Sequence, residues 1–247
     1  MGKWKKWLSA GLFTAMLGTA IIAGPTADVS ANAGNKPYNI ENVSPDAHLA
    51  PSVGDSSSKT SSKAWHKIDG VCYNGSGKKV EGAITRGMDV SEWQGKINWK
   101  EAKKDLDFAF VRISYGTRHL DDYYDYNMTE AEAADVPVGT YVYSLAKTNK
   151  EALAEAQLAI RQMQGHKVSY PVAFDLEDEA TLGTLTRKEI SQIALTFCDE
   201  IRKAGYTPIL YMNLNWYNNF VDWNVLEGSG LDVWIASYGD TIFAPST

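Results

Sequence analysis

Between residues 65 and 247 the chain alternates two patterns. Short runs of β-branched and aromatic residues fall at 87–90, 108–114, 138–144, 171–176, 208–212 and 233–237. Several are apolar without a break, which is how strands buried on both faces of a parallel sheet read. Between them lie stretches with apolar residues at helical spacing. In segment 187–204, Ile190, Ile193, Phe197 and Ile201 share one face, Thr186 and Glu189 have capping-box spacing, and Gly205 stands where the helix should stop. Segment 150–164 places Leu153, Ala156, Ile160 and Met163 on one stripe ahead of Gly165. Strand runs separated by helical stripes predict an α/β fold with a parallel sheet. A closed barrel and an open doubly wound sheet both satisfy the pattern, and both bind ligands at the C-terminal ends of their strands.

Upstream the pattern changes. Residues 34–64 are rich in Ser, Pro, Asn, Asp and Gly, with Ser56-Ser57-Ser58-Lys59-Thr60-Ser61-Ser62 the clearest stretch, and read as a disordered linker. Residues 1–33 begin with Lys3, Lys5 and Lys6, continue through an apolar run from Leu8 to Ala23, and reach small residues at Ala31 and Ala33. That is the pattern of a secretory signal peptide, and the run is shorter than the roughly 20 residues needed to span a bilayer. The expected product is secreted, in contact with the cell wall, and off the membrane once the signal is removed.

Composition narrows this picture without changing it. The 247 residues suit one barrel-sized unit, and 44% hydrophobic with 22% charged residues is ordinary for a globular chain. A net charge of −6 argues against a nucleic-acid partner, which calls for a basic face. Two cysteines, Cys72 and Cys198, do not make a disulfide scaffold, so stability must come from a core. Cys198 falls on an apolar helical face, and a bridge between the two has no support in the sequence. The 8 Trp and 13 Tyr can serve a core and also suit a groove that stacks on sugar faces.

Candidate chemistry collects at the strand ends. The run Pro171-Val172-Ala173-Phe174 leads into Asp175-Leu176-Glu177-Asp178, and alternation along a strand turns Asp175 and Glu177 to the same side. Two carboxylates in one partly dry space raise the pKa of one of them, as a general acid near neutral pH requires. Asp89, between Met88 and Val90, is costly to bury without a purpose, so it either pairs with Arg86 or Arg112 or faces an active site. Trp93 and Gln94 follow it closely. Tyr115, Tyr141, Tyr143, Tyr211, Asn213, Trp234 and Tyr238 stand at the ends of other strands, where rings with interspersed amides would form a polysaccharide groove. His48, His66, His119 and His166 show no metal-ligand spacing, so neither a metal nor another cofactor is expected. Gly75-Ser76-Gly77-Lys78 lacks the first glycine and the Ser/Thr of a phosphate loop, and no G-x-S-x-G elbow occurs.

Five segments in series carry a resemblance: Gly87-Met88-Asp89-Val90-Ser91-Glu92-Trp93-Gln94-Gly95, Phe110-Val111-Arg112-Ile113-Ser114-Tyr115-Gly116, Gly139-Thr140-Tyr141-Val142-Tyr143-Ser144, Ala173-Phe174-Asp175-Leu176-Glu177 and Trp234-Ile235-Ala236-Ser237-Tyr238. In order and spacing the chain resembles the family 25 lysozymes. The resemblance implies an irregular β/α, TIM-like barrel over residues 86–247, preceded at 65–85 by an extension found in some clostridial-type members. It implies a peptidoglycan substrate, cut between N-acetylmuramic acid and N-acetylglucosamine by a protein that is monomeric when full length. Carried onto matching positions, Glu177 is the proton donor, Asp175 its partner and Asp89 a further active-site carboxylate. The family continues with two more strands, a Trp-Gln-Tyr segment and another active-site Asp, so a barrel ending at Thr247 is expected to lack its last strands. A non-catalytic cell-wall glycan-binding protein, with the same rim of rings, is the competing class; a structural or adhesion protein would need no carboxylate pair.

Overall fold

The computed structural model describes residues 66–74 and 76–237, together with the backbone of two strands further upstream, 6–10 and 18–23. In chain order the strands are β1 (Lys6–Ala10), β2 (Gly18–Ala23), β3 (His66–Ile68), β4 (Val71–Tyr73), β5 (Ala83–Val90), β6 (Phe108–Tyr115), β7 (His119–Leu120), β8 (Val138–Tyr143), β9 (Val168–Asp175), β10 (Pro208–Asn213) and β11 (Asp232–Ser237). The helices are α1 (Trp99–Ala102), α2 (Tyr124–Ala133), α3 (Asn149–Met163), α4 (Arg187–Lys203), α5 (Leu214–Asn219) and α6 (Trp223–Leu226). The linker expected at 34–64 lies outside the described residues.

Strands β5, β6, β8, β9, β10 and β11 pair in that order, every neighbour parallel, and form a curled sheet. Beyond β11 comes β1, parallel to it, and then β2, antiparallel to both β1 and β5. The two upstream strands come from the segment with the signal-peptide pattern and lie between the first and last of the parallel strands.

Alternation along the strands divides the apolar residues into two cores. Outward-facing Val111, Val142, Val172, Phe174, Leu210 and Ile235 pack with the buried faces of the helices, and Phe174 stacks on Phe197 of α4 at 4.1 Å. Inward-facing Phe108, Phe110, Ala173, Ile209 and Trp234 form a second cluster, joined by Tyr141, Tyr170 and Tyr211. Two glycines make room for it. A Cβ on Gly87 would stand 2.3 Å from the Phe108 ring, and one on Gly139 would stand 2.5 Å from the Pro171 carbonyl oxygen. The interior beneath the strand ends is thus a filled aromatic floor, as in barrels whose centres are packed rather than hollow.

The helix signals are met locally. In α4 the Thr186 hydroxyl accepts from Glu189 N–H at 3.3 Å while Glu189 accepts from Thr186 N–H at 2.8 Å, and Gly205 takes φ +91°. Its buried face includes Ile190, Ile193, Phe197 and Ile201. In α3 the buried stripe is Ala152, Glu155, Ala156, Ala159 and Met163, with Leu153 and Ile160 on its flank, so the expected stripe is rotated toward smaller residues. The segment ahead of the sheet is a β3–β4 hairpin turning at Asp69 and Gly70, both with positive φ, as a tight two-residue turn requires. Lys67 ties it to Asp107 at 2.7 Å, and Asp107 accepts the Arg86 N–H at 2.7 Å. Cys72 and Cys198 are both buried and unbridged.

Candidate active site

Strand register brings the expected acids to one place. Asp175 ends β9 opposite Tyr143 of β8 and Tyr211 of β10, and Tyr211 is opposite Trp234 of β11. Asp89 stands on β5, on the same inner face. Asp89, Tyr141, Asp175, Tyr211 and Trp234 line one pocket of about 50 Å³. Glu177, two residues past Asp175, is as buried as its neighbour at 5% exposure. Tyr211 and Trp234 meet edge to face at 4.7 Å and make the aromatic wall.

Electrostatics in this pocket favour protons over charge. Burial pushes the Glu177 carboxyl up to about 7; hydrogen bonds donated by the Asn213 side chain and backbone N–H pull the other way, and Asp89 adds repulsion. Burial also raises Asp175 well above the usual carboxylate range, reinforced by Glu177 and Asp89 and opposed by Arg112. Asp89 is pushed up to about 6, again by burial first. Asp175 and Glu177 titrate as a pair, and low polarity with mutual repulsion makes the pair keep a proton near neutrality. Glu177 Oε1, Asp175 Oδ1 and Trp234 Nε1 are buried without a hydrogen-bond partner. Two acceptors and a donor are therefore left for a substrate or a water.

Among the described residues no ion pair joins Asp89 to Arg86 or Arg112, and burial rather than a cation governs its carboxyl. The Arg86 guanidinium donates to the Asp105 carbonyl at 2.5 Å. Arg112 is held by Asp121 and Glu92, each at 2.9 Å. Of the two sequence alternatives for Asp89, the pocket is the one the structure shows. Among the described residues no group of three or more His, Cys, Asp or Glu side chains is arranged to hold a metal ion.

Residues 88–244 match the sequence profile of glycosyl hydrolases family 25. The chain belongs to glycosyl hydrolase family 25. Lysozyme M1 of Streptomyces globisporus is 26% identical over 164 residues, 62% of this chain and 55% of that protein. YegX of Escherichia coli K12, an uncharacterised protein, is 26% identical over 139 residues, 53% of this chain and 49% of its own. The chain spans about half the length of these curated relatives. Among solved structures, a family 25 glycosyl hydrolase from Bacillus anthracis superposes with TM-score 0.52 at 24% identity, covering 61% of this chain and 69% of that one. The muramidase from Trichobolus zukalii gives 0.56 at 18% identity, covering 64% and 80%. At such identities the likeness is one of fold, a mixed α/β architecture with a curled parallel sheet.

Around the pocket of this family 25 chain the remaining candidate residues divide. Tyr115 and Tyr143 stack at 4.8 Å on the rim, and both hydroxyls donate to Asp178 Oδ2 at 3.3 Å. Trp93, 61% exposed, sits on the short turn Glu92–Gln94 and is not among the residues lining the pocket. Gln94, by contrast, is occupied in capping that turn, its Oε1 accepting from Ser91 N–H at 2.7 Å. Asn213, expected to meet substrate, is otherwise engaged: its Oδ1 caps α5 by accepting Trp216 N–H at 3.0 Å while its N–H groups hold Glu177. Tyr238 lies outside the described residues.

Three further residues shape the site although the sequence reading gives them no role: Asp178, Asp121 and Glu92. Asp178 follows Glu177 directly, and its Oδ1 accepts from Thr181 N–H and hydroxyl, both at 2.8 Å, so it is fixed for the two tyrosines. Asp121 accepts from Arg112 and from Glu92 N–H, which fastens the Trp93 turn to β6. Proximity to Glu177 is the one available signal for Asp178; nothing in the sequence joins Asp121 to Glu92.

Proposed function

We propose that this family 25 chain hydrolyses the β-1,4 bond between N-acetylmuramic acid and N-acetylglucosamine in bacterial peptidoglycan, with Glu177 as the general acid. The observation that carries the reading is Glu177 itself: a buried carboxyl pushed up to about 7, held by Asn213, with one oxygen free and a second acid beside it. A group with that pKa is still half protonated near neutral pH and can donate to a leaving oxygen. Lysozyme M1, a curated relative, and the autolysin LytC, whose fold this chain shares and which was solved with a synthetic peptidoglycan ligand, support the substrate class.

In the proposed reaction Glu177 gives its proton to the glycosidic oxygen as the bond to the anomeric carbon breaks and positive charge develops on the sugar ring. The substrate's own acetamido oxygen bonds to that carbon, and Asp175 orients the acetamido group and balances its charge. Water then opens the intermediate, returning a proton to Glu177. Asp89 adds a third carboxylate facing the developing cation. Glycan strands would lie across Trp93, Tyr115, Tyr143 and the inner ring wall of Tyr141, Tyr211 and Trp234. Residues 1–33 direct the chain out of the cell, where this substrate is found, and residues 65–85 are the clostridial-type extension of this reading.

The test is mass spectrometry of soluble fragments released from purified peptidoglycan by the protein and by Glu177→Gln. Fragments ending in reducing N-acetylmuramic acid, absent with the variant, are expected. Binding to the same material without release would overturn the reading in favour of a glycan-binding protein.

A further inference from the structure

A buried acid outside the pocket holds one of its walls. Glu155, on the sheet-facing stripe of α3 between Ala152 and Ala159, is 2% exposed. A carboxylate among alanines opposes folding unless its lone pairs are used. In this helix they are. Oε2 accepts the Ser144 hydroxyl at 2.8 Å and Oε1 accepts Leu145 N–H at 3.0 Å. Ser144 Oγ in turn accepts Ala146 N–H at 3.2 Å, and Ser144 N–H donates to the Asp175 carbonyl at 3.0 Å. The preceding residue is Tyr143, whose carbonyl accepts Gly116 N–H at 2.8 Å. One side chain therefore grips the turn where β8 ends, and that turn is bonded to the backbone of the pocket acid and to the segment following Tyr115.

We propose that Glu155 is a positioning residue that locks residues 144–146, and through them Tyr143 and the Asp175 backbone, in the arrangement the pocket uses. The inference rests on the pocket being the active site of a glycosidase. Both Glu155 oxygens accept hydrogen bonds, so the ionised form grips most fully; a proton on Oε1 sets donor against the Leu145 N–H, and one on Oε2 forces the Ser144 hydroxyl to turn from donor to acceptor. Burial pushes this carboxyl up to about 7, against the pull of Leu145 N–H and the Ser144 hydroxyl, and Glu151 one turn earlier adds repulsion. Glu151 is the one charged side chain acting on it among the described residues. The grip is full above neutral pH and slackens as the carboxyl gains its proton in acid.

The test compares the full chain with Glu155→Gln, in which an N–H₂ replaces one acceptor. Two readouts are taken: amide hydrogen exchange by mass spectrometry, and kcat/KM for fragment release from purified peptidoglycan across pH. Losing a hydrogen bond to a charged group predicts about tenfold faster exchange at Leu145 and Ala146 near pH 8, with exchange in α4 and β10 unchanged. It also predicts that kcat/KM falls about tenfold near pH 8, and that the wild-type to variant ratio closes toward one near pH 5, where Glu155 is already protonated. Titration of Asp89 and Glu177 is common to both proteins and cancels in that ratio. Unchanged exchange at Leu145, or a ratio independent of pH, would overturn the proposal. If the unaltered protein releases no fragments, the glycosidase reading falls and exchange alone decides the role of Glu155. Should Glu155→Gln not fold, Ser144→Ala, which removes the hydroxyl bound to Oε2, must show the same localised gain in exchange; without it the proposal fails.

Discussion

Asn213 performs two tasks with one amide, and substitution separates them. Its Oδ1 caps α5 through Trp216 N–H, and its N–H groups steady the charged form of Glu177. Loss of an N-cap costs about 1 kcal/mol of stability. A hydrogen bond to an ionised group contributes about 1.5–3 kcal/mol, and about 1.4 kcal/mol corresponds to one pKa unit. Because the backbone N–H of residue 213 survives any substitution, the lower figure applies. Removing the amide alone should raise the Glu177 pKa by about one unit, since a bond to the ionised form is what disappears.

Asn213→Ser keeps a capping oxygen and loses the amide, so its melting temperature should stay near that of the unaltered protein. Because a general acid works protonated, the alkaline limb of its pH–rate profile should move from about 7 to about 8. Asn213→Ala should show the same shift together with the capping loss. Asn213→Asp keeps the cap but sets a carboxylate against Glu177, which moves the limb further in the same direction. Initial rates of fragment release across pH, with calorimetric melting of each variant, measure both effects. If the alkaline limb of Asn213→Ser does not move, Asn213 is a cap and nothing more, and Glu177 is not the acid whose ionisation limits the rate.

Other outcomes follow from the same geometry. Glu177 has a folded pKa of about 7 against an ordinary 4.5, so its ionisation opposes folding increasingly as pH rises through that interval and fully above it. Glu177→Gln should therefore be inactive yet more stable near pH 8, by about 3 kcal/mol, with the gain vanishing near pH 4; calorimetry at both pH values checks this, and a variant less stable at pH 8 contradicts it. Gly139→Ala forces a Cβ to within 2.5 Å of the Pro171 carbonyl oxygen and 2.6 Å of the Phe110 ring, and should lose about 1–3 kcal/mol or fail to fold, measured by denaturant unfolding. Trp93→Ala, at an exposed position on the Glu92–Gln94 turn, should weaken binding to insoluble peptidoglycan while leaving the melting temperature alone. Intact mass of the exported protein should show removal of residues 1–33, which takes β1 and β2 from between β11 and β5; a secreted form retaining them contradicts the signal-peptide reading.

What is legible in the sequence, and what is hidden from it, follows from where polar groups are placed. The parallel strands are readable because both faces are buried and the runs are apolar, and the errors fall at the ends: β9 starts at Val168 rather than at Pro171, across the irregular pairing between Val138 and Thr140. Helix α2 escapes notice because it packs through Tyr124, Met128 and Ala131 while Asp125, Glu130 and Glu132 interrupt the stripe. Asp175 and Glu177 can be paired from alternation along one strand, which needs no long-range information. Asp89 joins them in the sequence only through the family 25 resemblance, its strand end leaving an arginine partner equally open. Asn213 and Glu177, Arg112 and Asp121, and Glu155 and Ser144 cannot be paired, because each pair is joined by tertiary geometry with no sequence period behind it. Glu155 is the sharpest case. A carboxylate beside an alanine stripe reads as the wet edge of a helix, and the helix must be turned by about one position, toward its smaller residues, before that carboxylate meets the end of β8. That rotation is fixed by how closely α3 approaches the sheet, and close approach is what Ala152, Ala156 and Ala159 permit. The alanines therefore carry information about the site, since larger residues there would lift the helix and carry Glu155 away from Ser144.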